Sequence, residues 1–396
     1  MYKMITIANA RAGSARHRHP WIFRGALTNT PSTLEHGELI HVEDENGVVL
    51  GTGTYSTTSS IAARLFDSEK TTIDAAWLVK RLQTAHARKV LCGYGLDTDT
   101  TGYRVVFGEA DGIPGLVVDR YGDVFVIQIS TAGMDKLRPL VVDALKQCFS
   151  PQAIVERSDI AVRAEERLEQ TVAVLQGVIN DAVPFTEHGY AFFADVLHGQ
   201  KTGFYLDQKN TRRAVARHAN DKNALFLFSY SGSAAIYALK NGAQTSTCID
   251  SSTDALALAQ KHAKKHRVSK KLTTQEADIF DVLKADDTPR FDMVVLDPPA
   301  LIKNQHDMEQ GKKAYHFLNR GALRLIKNNG IFITSSCSHF LSHDDFVFLL
   351  RRASVQSGVV LHTLEELQQS ADHPTSLYFP ESRYLKTFVF LVERHD

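Results

Sequence analysis

The sequence predicts an α/β protein: a C-terminal domain of alternating strands and helices around a parallel sheet, after a small β-domain and a central α+β domain. Three observations lead there. From about residue 220, apolar runs of strand length alternate with stretches of helical period. Before about residue 70 the chain holds only short strand-like runs broken by turn residues. And 396 residues exceed one ordinary domain, at about 150 residues per domain. The expected domains are 1–72, 73–185 and 186–396.

In the first segment strands are expected at 37–42, 48–53 and 61–65, separated by Glu45-Asn46-Gly47 and Thr57-Thr58-Ser59-Ser60. The arm before them is basic, with Lys3, Arg11, Arg16, Arg18 and Arg24 and no acid through residue 34. It also carries His17, His19, Trp21 and Phe23. Cations interleaved with aromatics on a β-domain favour RNA, read by stacking and phosphate contact. A solvated face is the ordinary alternative. The second segment opens with a helix over 73–91, where Trp77, Leu78, Leu82, Ala85 and Lys89 follow roughly a 3.6 period. Strands at 116–119 and 124–129 follow, joined by Arg120-Tyr121-Gly122-Asp123, then a helix at 137–149 and a strand from 153. In the third segment strands are expected at 224–228, 245–249, 292–296 and 331–335. Helices lie at 234–241 and 254–265, the latter capped by Ser251 or Ser252. Residues 260–271 form a second acid-free run, with six Lys/Arg and two His.

Composition excludes several classes. With 45 Lys+Arg against 45 Asp+Glu, the chain cannot hold nucleic acid by bulk charge alone, although a local basic surface remains open. The apolar runs, such as those at 224–228 and 388–392, are far short of the ~20 residues that span a membrane. No apolar stretch at the N-terminus suggests a secretory signal. Cys92, Cys148, Cys248 and Cys337 are scattered without a CxxC pair, so neither a disulfide framework nor a zinc or other metal site is expected. Unpaired thiols suit a reducing, cytoplasmic setting.

The chemistry-bearing residues fall at the ends of the expected C-terminal strands. The turn Ser229-Tyr230-Ser231-Gly232-Ser233 follows the first, where small residues let backbone N–H groups approach a ligand. Many such junctions are plain connections. Asp250 ends the next strand about 20 residues on, where an acid can hold a ribose hydroxyl pair. Asp278 is a third acid, able to lie beside an amino-heterocycle or to be a surface loop acid. The apolar run before Asp297-Pro298-Pro299 delivers a rigid acid to the same edge. Cys337 follows the last strand, where a thiolate could be a nucleophile and where a buried small hydrophobe is the general alternative. His339 is read as a polar neighbour. Residues 198–213, HGQKTGFYLDQKNTRR, read as a ligand-lining loop leading into a helix.

With these residues assembled, the chain resembles the PUA-domain class I S-adenosylmethionine-dependent RNA methyltransferases, and among them the RlmI-type 23S ribosomal RNA (cytosine-5)-methyltransferases. The resemblance is carried by RHRHPWIFRGAL at 16–27, GEADGIPGLVVDRYGD at 108–123, ERSDIAVR at 156–163 and GQKTGFYLDQKNTR at 199–212. It continues in LFSYSG at 227–232, VVLDPPA at 294–300, SCSH at 336–339, ADHP at 371–374 and YLK at 384–386. Order and spacing agree over nearly the whole chain.

The resemblance implies an N-terminal PUA β-barrel that binds RNA, a central α+β domain and a C-terminal Rossmann-like class I methyltransferase domain. It implies that Tyr205, Asp207, Ser229, Tyr230, Gly232, Asp250, Ser251, Asp278, Ile279 and Asp297 contact S-adenosyl-L-methionine. It places Asp297 beside the target base and makes Cys337 the nucleophile that adds to cytosine carbon 6. Arg16, Arg18, His19, Trp21 and Lys201 would contact RNA, either 23S ribosomal RNA or a large-subunit precursor. A homodimer through the PUA or central domains is left open. Two departures bear on the cofactor: Phe226 stands where the family carries an acid or amide, and Ser233 replaces the second of two glycines. Asp207 or backbone groups would then supply the lost contacts. Methylation of another base or RNA is a rival reading, as is an RNA-binding or ribosome-assembly protein with a decayed cofactor site.

Overall fold

The computed structural model describes residues 2–285 and 287–394. The chain forms two compact units. One comprises Met1–Tyr190, Ala194–Leu206 and Ala371–Ser382; the other comprises Ala191–Phe193, Asp207–Ser370 and Arg383–Asp396.

The two larger sheets outside the second unit lie in the first. Six strands pair in the order Trp21–Phe23, Ile61–Asp67, Val49–Tyr55, Leu39–Asp44, Lys3–Ile7, Leu27–Asn29. The three expected strands are among them, each ending two residues later than its pattern, the first also starting two residues late and the second one. Lys3–Ile7 lies parallel to Leu39–Asp44, and Ile5 and Ile7 are fully buried with Ile40 and Val42. The second sheet has the order Val172–Gln176, Ala153–Arg157, Val124–Ile129, Leu116–Tyr121, Gly102–Phe107. Two helices cover it. Ala75–Leu91 begins at Asp74, whose side chain accepts the Trp77 N–H, and Arg138–Phe149 packs Val141 and Leu145 into the same core as Leu78 and Leu82.

The GEADG motif is a clasp in this unit. Asp111 is buried; its carboxylate accepts the Lys89 ammonium at 2.8 and 3.0 Å and the Phe107 N–H at 2.8 Å. Gly112 closes the turn with φ 76°. Lys89, read from its period as one face of a helix, is only 1% exposed. Removing one partner of such a pair strands the other charge in low dielectric. Lys89→Met should therefore cost about 3 kcal/mol, read as a lowered urea midpoint for the unit.

The second unit is a seven-stranded sheet with helices between its strands. In chain order it runs α1 (Lys209–His218), β1 (Asn223–Leu227), α2 (Ser233–Lys240), β2 (Thr245–Asp250), α3 (Thr253–Lys265) and β3 (Leu272–Glu276). There follow α4 (Ile279–Ala285), β4 (Phe291–Leu296), α5 (Met308–Arg324), β5 (Ile326–Ser336), α6 (His343–Gln356), β6 (Val359–Leu367) and β7 (Lys386–Arg394). The strand order is β3-β2-β1-β4-β5-β7-β6. The first five are mutually parallel, whereas β7 is antiparallel to both β5 and β6. The expectation of a parallel sheet thus holds for its central part, and the antiparallel strand is an addition to it. Among the described residues no helix is long and apolar enough to cross a membrane.

Candidate active site

The strand order reverses between β1 and β4, and open α/β sheets bind ligands beyond the strand C-termini at such a crevice. The loop that leaves β1 is strained. Phe228 (φ 58°) and Tyr230 (φ 45°) are left-handed non-glycine residues, followed by Gly232 (φ 65°). Such backbone costs on the order of 1–3 kcal/mol per residue and persists where the surroundings enforce it. Here the Ser229 N–H donates to Ile249 O at 3.1 Å and the Gly232 N–H to Ser229 O at 2.9 Å. The Tyr230 N–H donates to Asp250 Oδ2 at 2.8 Å. Gly232 leads into α2, and a Cβ there would come within 2.7 Å of Ala259 Cβ on α3.

Asp250 is the last residue of β2 and is nearly buried. Its Oδ1 accepts the Ser252 N–H at 3.0 Å, so one carboxylate braces the loops after both β1 and β2. Each oxygen keeps a lone pair for a further donor. Asp278, beyond β3, is exposed and its Oδ1 accepts the Phe280 N–H at 2.7 Å. Ile279 beside it is buried in the core, and Ser251 is exposed.

Asp297 directly follows β4, its N–H donating to Leu227 O at 3.3 Å. Gln208 Nε2 donates to both of its carboxylate oxygens, at 2.9 and 2.8 Å. Gln208 is itself held, its Oε1 accepting the Thr211 hydroxyl at 2.5 Å. Cys337 follows β5 at the same sheet edge, half-buried, with Sγ 4.0 Å from Pro298 O. Asp207 is buried and accepts the Tyr384 hydroxyl at 2.7 Å. Phe226 lies inside β1 and is 2% exposed, so the phenyl fills sheet interior.

The remaining expected contacts lie in the first unit. Lys201 Nζ stands 4.2 Å from the Tyr205 ring centroid, and Tyr205 donates to Gln200 Oε1 at 2.5 Å. Arg16 pairs with the buried Asp44, whose carboxyl it holds below the usual range together with the Val48 and Asn46 N–H groups. His19 Nε2 lies 3.3 Å from Glu381, Arg18 lies over Tyr378, and Trp21 Nε1 donates to Glu109 at 2.9 Å.

Two supports were not anticipated. Gln208 sits inside the motif at 199–212, with no signal marking its side chain. His262 lies in the second basic run yet is fully buried. Its Nδ1 donates to Ser231 O at 2.9 Å, inside the β1 loop, and its Nε2 accepts the Phe193 N–H at 3.0 Å. The four-residue spacing of Ala255, Ala259 and Ala263 was the available sign that this face of α3 is buried.

Residues 5–68 match the PUA-like domain family, and residues 141–386, more than half the chain, match the S-adenosylmethionine-dependent methyltransferase family. The chain belongs to the S-adenosylmethionine-dependent methyltransferases. A Klebsiella pneumoniae (strain 342) protein named ribosomal RNA large subunit methyltransferase I is 35% identical over 395 residues, 98% of each chain. The Escherichia coli O139:H28 protein of the same name is 35% identical over 97% of this chain and 98% of its own. Among solved structures, SMU.776, a methyltransferase complexed with SAH, has a TM-score of 0.84 at 20% identity, covering 98% of this chain and 100% of its own. A second, from Streptococcus mutans, has a TM-score of 0.82 at 20% identity over the same shares. These two likenesses show the fold.

The cofactor of this methyltransferase is S-adenosylmethionine. The donor set fits it. Acids beyond β2 and β3 can accept from a ribose diol and an adenine amine. The strained loop after β1 closes around a glycine with no room for a Cβ on its α3 side. Gly232→Ala adds both left-handed strain and a clash, and should weaken S-adenosylmethionine binding at least about tenfold by calorimetry.

His262 yields a pH prediction. Burial pushes its pKa down to about 4, aided by His266 and Lys261 and opposed by the Ser231 and Phe193 hydrogen bonds. The unfolded chain titrates near 6.5, so it takes up the proton first as pH falls. The stability from neutral His262 is complete above about pH 6.5 and lost progressively down to about pH 4. The loss should be about 3 kcal/mol. Urea midpoints between pH 7 and 4 should show it, and His262→Gln should flatten the slope.

Proposed function

We propose that this methyltransferase methylates carbon 5 of a cytosine in 23S ribosomal RNA, with Cys337 as nucleophile. The observation carrying the proposal is that Cys337 and Asp297 follow neighbouring strands at one sheet edge, the thiol facing Pro298 O and the carboxylate fixed by Gln208. The names of the full-length relatives support the ribosomal substrate. In this reading residues 1–72 bring RNA to a catalytic domain at 186–396, in the cytoplasm. Arg16, Arg18, His19, Trp21 and Lys201 serve as RNA contacts. Ser229, Tyr230, Gly232, Asp250, Ser251, Asp278 and Ile279, with Tyr205 and Asp207, serve as cofactor contacts.

Carbon 5 of cytosine is a poor nucleophile, and the target base must leave its stack to be reached. The Cys337 thiolate adds to carbon 6; an S–C bond forms, and the C5–C6 electron pair moves into the ring toward N3. Asp297, as the acid, gives N3 its proton and hydrogen-bonds the exocyclic amine, stabilising the developing charge. Bound S-adenosylmethionine would supply an electrophilic methyl, carbon 5 taking it with its electron pair as the methyl–sulfur bond breaks and S-adenosylhomocysteine is left. A base or water takes the carbon-5 proton, the ring double bond re-forms, and the thiolate leaves. Asp297 recovers its proton from N3.

The test is transfer of labelled methyl to unmodified large-subunit ribosomal RNA, followed by nucleoside analysis. Label should appear in 5-methylcytosine and fall at least about a thousandfold in Cys337→Ala. Label in another nucleoside, or undiminished transfer by the variant, would overturn the mechanism.

A further inference from the structure

Lys386 opens β7, and its Cα is paired with that of Ser336 across the β5–β7 ladder, one residue from Cys337. Its Nζ donates to Ser338 O at 3.0 Å and to Tyr384 O at 2.9 Å. The side chain is half-buried, and no ion pair with a carboxylate is seen for it among the described residues. An ammonium held between two neutral carbonyls gives up hydration without gaining a counter-charge. Burial accordingly pushes it down to about 8; Arg383 adds to that push, and Cys337 opposes it. The Ser336 pairing and the bond to Ser338 O place Lys386 against both chain neighbours of Cys337.

The thiol's surroundings are rigid. Tyr315 OH and Ser338 Oγ are 2.9 Å apart, Ser338 Oγ accepts the Ile302 N–H at 3.1 Å, and the Ser338 N–H donates to Ser336 Oγ at 3.3 Å. By gripping Ser338 O, Lys386 fixes its own charge relative to the neighbouring thiol. Among the described residues, Tyr315 from α5 and Arg383 from the segment before β7 are titratable groups that also act on this corner, and Asp297 adjoins Pro298, whose carbonyl the thiol meets. Tyr315 is pushed up to about 12, by burial first and by Cys337 next, so it stays neutral.

We propose that Lys386 is a positioning residue whose ammonium supplies the counter-charge that holds Cys337 as its thiolate. The proposal rests on the nucleophile role given to Cys337. It explains a half-buried cation with no carboxylate partner among the described residues, and it favours the thiolate that nucleophilic attack requires. No bond is made or broken by Lys386 itself.

The experiment is the pH dependence of iodoacetamide labelling at Cys337 in the full-length protein, resolved by peptide mass. Exposed Cys92 is the internal reference. The wild-type Cys337 midpoint should lie below that of Cys92. In Lys386→Met it should rise by about one pH unit, a roughly tenfold loss of labelling at pH 7. Lys386→Arg should stay close to wild type. Proteins are compared after S-adenosylmethionine binding is shown to be intact. A Lys386→Met midpoint equal to wild type would overturn the proposal, and so would a wild-type midpoint at or above that of Cys92, which needs no variant. Methyl transfer by Cys337→Ala is judged separately: its survival would sink the nucleophile reading whatever the labelling shows.

Discussion

The pairing of β1 with β4 is the constraint from which the site follows. These two strands meet in parallel register from Ala224↔Met293 to Leu227↔Leu296, with both lines of side chains in the interior. The last rung continues into the bond from Asp297 N–H to Leu227 O. A one-residue slip would turn Leu225, Leu227, Val294 and Leu296 out of their shared core, so hydrophobic burial pins the register. With the register fixed, the strained loop, Asp250 and Asp297 emerge at one edge. The chemistry inherits its geometry from packing that contains no functional group at all.

Several polar groups near that edge have a neutral partner. Gln208 fixes Asp297, the Tyr384 hydroxyl meets Asp207, and His262 ties the β1 loop to Phe193. Such bonds aim an acid before a substrate group arrives. Lys386 is the reverse case, a cation oriented by two carbonyls.

Much of this arrangement was legible in the chain because acids and a cysteine interrupt apolar runs. Asp250 follows Cys248-Ile249, Asp297 follows the run MVVL and Cys337 lies shortly beyond Ile331-Phe332-Ile333, and the strand Val124–Ile129 coincides with its pattern at both ends. What periodicity could not carry was direction and long-range partnership. The run at 388–392 is plainly strand-like, but nothing local says that it enters antiparallel beside β5. Lys3–Ile7 pairs with Leu39–Asp44 across more than thirty residues, and its strand character is masked by the basic arm around it. The second basic run reads as a solvated face, yet burial of His262 is decided by Phe193, some seventy residues earlier. Phe226 reads as a lost cofactor ligand, and its phenyl is taken up inside the sheet.

The two compact units are interleaved along the chain, and this bears on how the protein is made. The first unit lacks a piece until Ala371–Ser382 has been synthesised, although the rest of it is complete by Leu206. In that piece Asp372 accepts the Arg104 N–H at 2.9 Å, and Phe379 sits 4.8 Å from Trp21, ring centroid to ring centroid. At about 5–20 residues per second, translation from Leu206 to Ser382 takes on the order of ten to thirty seconds. Throughout that interval the amino-terminal unit waits on the ribosome with the aromatic ring of Trp21 uncovered by Phe379 and the Arg104 amide without its carboxylate. The nascent chain thus closes its earliest structure with a segment made after Asp207–Ser370 of the second unit.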